Sequence, residues 1–368
     1  MRATISPASQ AASPRTSNRF PRKSCFPSAS VALSLLSAVF LGALFPTNAH
    51  AAEPYEGYTL FSTNNTAYLY NMKKEKVHEW KVAAGTIQTS TYLLPDGSML
   101  FPLNRGGVTF RHPGAHASGA FVKIGWDGDV LWDFKFLGPD FTPGYDVAPM
   151  PNGNILVPAV VKDRNLPGKV FEIKPVGKDG GEVVWECDVS AKLPGVQGYI
   201  NSVDFNPASN QIFVNIQEPG RMIATFDHSK ADAPLVFKWS SGINGRLHGG
   251  AFVTDLYKGT DKAIPGADAK AMRTGNILTV SNGDREMVEI DPKTNERVKT
   301  IKYNFSDHQG SVQRLPNGNT LIVGGYTKKI DEVDDEGKVV WTMEAPGNIQ
   351  RALRYGLEYP GVSKLAKN

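Results

Sequence analysis

The chain has 368 residues, with 40 lysines and arginines, 36 aspartates and glutamates and two cysteines. Five of the basic residues and none of the acidic ones lie before position 52, so the 317 residues that follow carry a formal charge of −1 and offer no global field for nucleic acid or an anionic membrane. Cys25 falls in that first stretch, which leaves Cys187 alone, and a lone thiol closes no disulfide within the remainder.

In chain order, Arg2, Arg15, Arg19, Arg22 and Lys23 precede a 15-residue apolar run, Val31 to Phe45, and then Ala49-His50-Ala51. A basic region, a short apolar region and a small-x-small triplet read as a secretory leader cut near Ala51, which places the mature chain in the periplasm or outside the cell. The run is short for a bilayer, and no later segment is apolar for long enough, so no stable membrane span is expected once the leader is removed. Residues 52–368 are then one domain.

Six copies of a two-strand unit follow: AYLYNMKKEKVHEWKV (67–82), AFVKIGWDGDVLWDF (120–134), KVFEIKPVGKDGGEVVWECDV (169–189), MIATFDHSKADAPLVFKW (222–239), MVEIDPKTNERVKTIKY (287–303) and KIDEVDDEGKVVWTME (329–344). Trp80, Trp132, Trp185, Trp239 and Trp341 are expected at one shared position, with Ile301 in the sixth copy, as packing residues between units. Ahead of four of the copies stands a turn and an apolar run: LPDGSMLFPL from Leu94, MPNGNILVPAV from Met150, RTGNILTVSN from Arg273 and LPNGNTLIVGG from Leu315. Asp-Gly and Asn-Gly pairs supply the positive φ that tight hairpins need, and the continuous apolar runs suit strands covered on both faces. A period of about fifty residues with four short strands predicts an all-β fold, a six-bladed β-propeller of four-stranded blades. The chain enters its first blade at the second-strand position, Tyr58 to Ser62, so GNIQRALRYGLEYPG (347–361) is expected to supply the missing inner strand and close the ring. The segment 255–274 is an insertion, read as a surface loop.

Inner strands of a propeller bring polar residues from distant parts of the chain to one channel mouth. The inner strands are expected to begin at Gln88-Thr89-Ser90, Tyr145-Asp146, Tyr199-Ile200-Asn201, Arg246-Leu247-His248, His308-Gln309 and Gln350-Arg351. His248, with Arg246 beside it, is the candidate reactive group. Gly249 and Gly250 leave room for a ligand there, and a neutral imidazole serves as nucleophile or base near pH 7. Asp146 reads either as an orienting carboxylate or as a cap on local amides. Other signals are weaker. His112 and His116 in RHPGAH have a metal-like spacing, but Pro113 and Gly114 forbid the helix that would put both on one face, so neither metal nor cofactor is expected. Cys187 alternates with a blade tryptophan and reads as a buried, inert thiol.

Taken in order, YDVAPMPNGNILV (145–157), YINSVDFNPASNQIFVN (199–215), RLHGGAF with GNILTVSNGD (246–284), GSVQRLPNGNTLIVGG (310–325), EVDDEGKVVW (332–341) and QRALRYGLEYPG (350–361) resemble the bacterial arylsulfate sulfotransferase family. The resemblance implies an exported six-bladed propeller that moves a sulfuryl group between phenols through a covalent sulfohistidine, with His248 at the nucleophile's position. It also implies altered surroundings, because Tyr145 and Tyr199 stand where the family has histidines, Gln217 stands where it has an arginine, and Asp146 matches. Fixed cations are the main means of stabilising a transferring sulfuryl group, and a tyrosine or glutamine brings none. Three functions stay open on the sequence. The mouth binds an aromatic or sugar-like small molecule through Tyr145, Asp146, Tyr199, Asn201, Gln217, His308 and Arg351; or it transfers sulfuryl groups through His248; or the rim is a protein-binding scaffold.

Overall fold

The computed structural model describes residues 53–367 except 106–118, 136–140, 145, 162–164, 218 and 241–245. The leader, the RHPGAH histidines and Tyr145 therefore lie outside the described residues. Six antiparallel sheets form a ring. The first blade holds Gly57–Thr63, Thr66–Tyr70 and Lys76–Lys81, with Ala352–Gly356 as its inner strand. The second runs from a split inner strand, Thr86–Ile87 and Tyr92–Leu93, through Met99–Asn104 and Gly119–Ile124 to Val130–Phe134, and the third from Phe141–Pro143 and Ala148–Pro149 through Ile155–Val161 and Lys169–Val176 to Gly180–Asp188. The fourth is Ile200–Asn206, Gln211–Ile216, Met222–Asp227 and Leu235–Trp239; the fifth Leu247–Phe252, Ile277–Ser281, Glu286–Asp291 and Glu296–Lys302; the sixth Ser311–Arg314, Thr320–Val323, Lys329–Val333 and Val339–Glu344. Among the described residues no helix is long and apolar enough to cross a membrane.

The C-terminal strand closes the ring as the sequence predicts, pairing Gly57 with Gly356 and Phe61 with Ala352. Arg354 fixes the closure. Its Nε donates to Thr59 Oγ1 at 2.8 Å, its Nη1 to Tyr55 O at 2.6 Å and to Glu332 of the sixth blade at 3.3 Å, and its guanidinium lies 4.4 Å from the centre of the Trp341 ring. Burial draws the Arg354 guanidinium down to about 10 against the pull of Glu332 and Glu56.

The tryptophan register departs from the sequence expectation. Every blade carries an irregularity between its third and outer strands, and at that step Trp132, Trp185 and Trp341 face Lys123, Glu172 and Glu332. Trp80, Trp239 and Ile301 sit two residues further along, and His78, Phe237 and Lys299 take the equivalent place. The place has a job. Trp132 Nε1 donates to Gly180 O at 2.8 Å, Trp185 Nε1 to Lys230 O at 3.2 Å and Trp341 Nε1 to Met72 O at 3.1 Å, each in the outer hairpin of the next blade. His78 Nε2 donates to Trp126 O at 3.0 Å in the same way, and Lys299 Nζ lies 3.4 Å from Asp335.

A second device explains the Asn-Gly-Asn turns. Glu172, Glu289 and Glu332 occupy equivalent third-strand positions opposite Leu156, Leu278 and Leu321. They accept from Asn152 Nδ2 at 2.9 Å, Asn276 Nδ2 at 2.8 Å and Asn319 Nδ2 at 2.8 Å, and each also meets a basic side chain of a neighbouring blade: His228, Arg314 and Arg354. Burial opposes the Glu172 charge, but the hydrogen bonds from His228, Asn154 and Asn152 outweigh it and draw the carboxyl from 4.5 to about 2. A depressed carboxyl stabilises the fold above its unfolded pKa and loses that contribution on acidification. Melting temperatures should fall as pH drops from about 4.5 toward 2, and Glu172→Gln should flatten that slope while lowering stability at neutral pH.

Candidate functional site at the seam between the fourth and fifth blades

His248 is the second residue of an inner strand, and its ring turns into the seam between two blades, where it is 5% exposed. Two residues from matching rungs flank it. Gln217 N bonds Tyr199 O at 2.9 Å and Asn282 N bonds Arg246 O at 2.9 Å, so each continues its second strand one step past the end and lies level with the start of an inner strand. Asn282 Nδ2 donates to Ser306 O at 2.8 Å and to Gln309 O at 2.7 Å. Those two carbonyls can only accept, so they fix the amide and turn Asn282 Oδ1 toward His248 Nδ1, 2.6 Å away. The imidazole must then donate through Nδ1, and in the neutral ring the lone pair is left on Nε2. Gln217 Nε2 lies 3.4 Å from that lone pair, while Gln217 Oε1 is buried with no partner among the described residues.

The nine sequence candidates divide. Asn201 joins the His248 seam, its Nδ2 donating to Leu247 O, and Tyr199 is buried beside it in the same blade. Arg246 precedes the strand, half-buried. Asp146 and Arg351 form a separate group among the first four blades, 3.4 Å apart, with Ser90 and Val203 N also donating to Asp146 and with Arg351 Nη1 donating to the Tyr92 hydroxyl at 2.8 Å. Burial pushes the Asp146 carboxyl above the usual range, against Arg351, Ser90 and the backbone N–H groups of Val203 and Val147. Burial also works against the Arg351 charge, yet Asp146 and Tyr92 raise its pKa overall. So many donors make Asp146 a fastener across four blades, with Val147 N the one local amide it caps. His308 is exposed, its ring 6.3 Å from that of Tyr326. Tyr145 lies outside the described residues.

Three findings were not visible in the sequence. Asn282 lies in SNGD, which reads as a turn; only its rung, shared with Gln217, would have pointed to His248. The Gly249-Gly250 pair does not leave an open space. Gly249, at φ +55, lets the next inner strand approach, and a Cβ there would stand 2.5 Å from Ser311 Cα. At Gly250 a Cβ would run into the Phe213 ring, so the glycines admit protein, not ligand. Gly249→Ala is expected to destabilise the fold, read as a lower denaturation midpoint. The insertion 255–274 likewise departs from a surface loop: its first part is drawn inward, Tyr257 is buried against Tyr359, and Lys258 pairs with the buried Asp204. Cys187 is buried, and burial pushes its thiol up to about 12, consistent with an inert group. Among the described residues no three His, Cys, Asp or Glu side chains cluster as metal ligands.

No family model and no curated protein matches the chain. Solved structures similar to it include a protein of unknown function from Bacteroides caccae (16% identity, TM-score 0.54, covering 81% of this chain and 98% of that one). Others are virginiamycin B lyase from Staphylococcus aureus (12%, TM-score 0.50, 80% and 85%) and a chain of a nidogen/laminin complex (12%, TM-score 0.51, 80% and 97%). At these identities the likeness concerns the fold.

Proposed function

We propose that the chain is an exported propeller that binds a hydroxyl-bearing small molecule, aromatic or sugar-like, at the seam holding His248. The observation that carries the reading is the paired acceptors His248 Nε2 and Gln217 Oε1, one with its lone pair fixed by Asn282 and the other buried without a partner. An unpaired buried acceptor costs about 1–3 kcal/mol, and a ligand hydroxyl that donates to Gln217 Oε1 recovers it. Gln217 covers the ring, so the ligand enters by turning that side chain aside. Tyr199 and Asn201 frame the place. Calorimetry with phenols, aryl sulfates and simple glycosides tests the reading: one class should bind wild-type protein and bind His248→Asn far more weakly, and uniform failure to bind would reject it.

The second reading, sulfuryl transfer through His248, is favoured by the single tautomer. Nε2 would attack sulfur as the donor's phenolate leaves; an acceptor phenol would then displace the N–S bond and lose its proton to solvent. We rank it second because Gln217 lies against the ring where the family has an arginine, and because Arg351 is committed to Asp146 and Tyr92.

A further inference from the structure

A partly open cavity of about 60 Å³ lies on the channel between the inner strands, several times what one water needs, and its wall includes Asp204, Tyr257, Lys258, Arg314, Arg351 and Arg354. Three of these carry a buried polar atom with no hydrogen-bond partner among the described residues: the Tyr257 hydroxyl, Arg314 Nε and Arg354 Nη2. The residues are 8%, 6% and 3% exposed, so bulk water does not serve them. All three are donors, and no orphaned acceptor faces them from the residues of the wall. Asp204 is already occupied, accepting from Phe252 N at 2.9 Å and from Lys258. Two of the contributors, Tyr257 and Lys258, come from the 255–274 insertion, which gives that segment a use the blade architecture does not supply.

We propose that this cavity binds one small monovalent inorganic anion of the halide class. Unsatisfied N–H and O–H groups in a wall whose charges are already paired call for an acceptor-only guest, and the small volume favours an ion over the aromatic ligands considered for His248. The charge balance selects its valence. Lys258, Arg314, Arg351 and Arg354 are answered by Asp204, Glu289, Asp146 and Glu332, so the unliganded wall is formally neutral and a doubly charged guest is disfavoured. The insertion lines one side of the site through Tyr257 and Lys258.

The test uses the whole protein and salts of stated anions at constant ionic strength: sodium bromide, chloride, sulfate and, as an anion too large to enter, gluconate. Bromide and chloride should raise the melting temperature saturably, with sulfate and gluconate indistinguishable from each other, and anomalous diffraction from bromide-grown crystals should place one peak among Tyr257, Arg314 and Arg354. Tyr257→Phe removes a hydroxyl that has no protein partner, so it should fold normally in gluconate yet bind bromide on the order of tenfold to a hundredfold more weakly. Equal melting curves in bromide and gluconate, an empty or water-filled cavity, a response larger in sulfate than in bromide, or an unchanged bromide affinity in Tyr257→Phe would each overturn the proposal.

Discussion

Arg354→Ala is expected to lower the stability of the protein by about 3–5 kcal/mol, the typical result of removing one partner from a buried ion pair. The side chains of Arg354 and Glu332 are both fully buried, and the arginine also holds Thr59, the Tyr55 carbonyl and the face of Trp341. Its loss leaves Glu332 charged inside the protein and unties the C-terminal strand that completes the first blade. Urea denaturation followed by tryptophan fluorescence measures the effect. A change under 1 kcal/mol would mean that ring closure does not depend on this pair. Removing residues 352–367 altogether takes away the inner strand of the first blade, and with it the Tyr355 hydroxyl bond to Leu93 N at 3.0 Å and the Tyr359 hydroxyl bond to Leu93 O at 2.7 Å. That truncated chain should not fold.

The second large effect is expected at the seam. His248→Asn should weaken the small-molecule ligand on the order of tenfold to a hundredfold, because the imidazole is the acceptor the ligand's hydroxyl meets. Asn282→Asp should reverse the preference without touching the ligand, at a cost in stability because the carboxylate removes the N–H groups that Ser306 O and Gln309 O accept. A carboxylate 2.6 Å from Nδ1 holds the imidazolium, Nε2 then carries a proton, and an anionic ligand replaces a hydroxyl donor as the better guest. Competition binding between a phenol and its sulfate ester reads the reversal directly; an unchanged order of affinities in Asn282→Asp would separate His248 from ligand recognition.

The fold was legible because its unit repeats. Apolar runs after the turns at Gly97, Gly153 and Gly318 are strands buried on both faces, and those glycines do take positive φ. Ring closure was legible because the first blade lacked an inner strand and the C-terminus offered one. What the sequence could not give was lateral registration between blades. The tryptophans looked equivalent, but the irregularity in each outer pair separates Trp132, Trp185 and Trp341, which bond the next blade, from Trp80 and Trp239, which do not take that position. The site was partly legible for the same reason. His248 could be placed at the start of an inner strand by counting, while its turn into the seam depends on Asn282 and on Gly249 yielding space to the neighbouring strand. Arg351 directly precedes an inner strand and Asp146 lies between the two pieces of another, but their mutual pairing across blades is a long-range contact with no local signature.

Nitrogen-15 NMR of histidine-labelled protein tests the central claim most directly. For free protein at neutral pH the account predicts a neutral His248 with its proton on Nδ1, and a saturable shift of the Nε2 resonance when the hydroxyl-bearing ligand is added. A proton on Nε2 in the free protein, or a ligand that binds without moving that resonance, would contradict it.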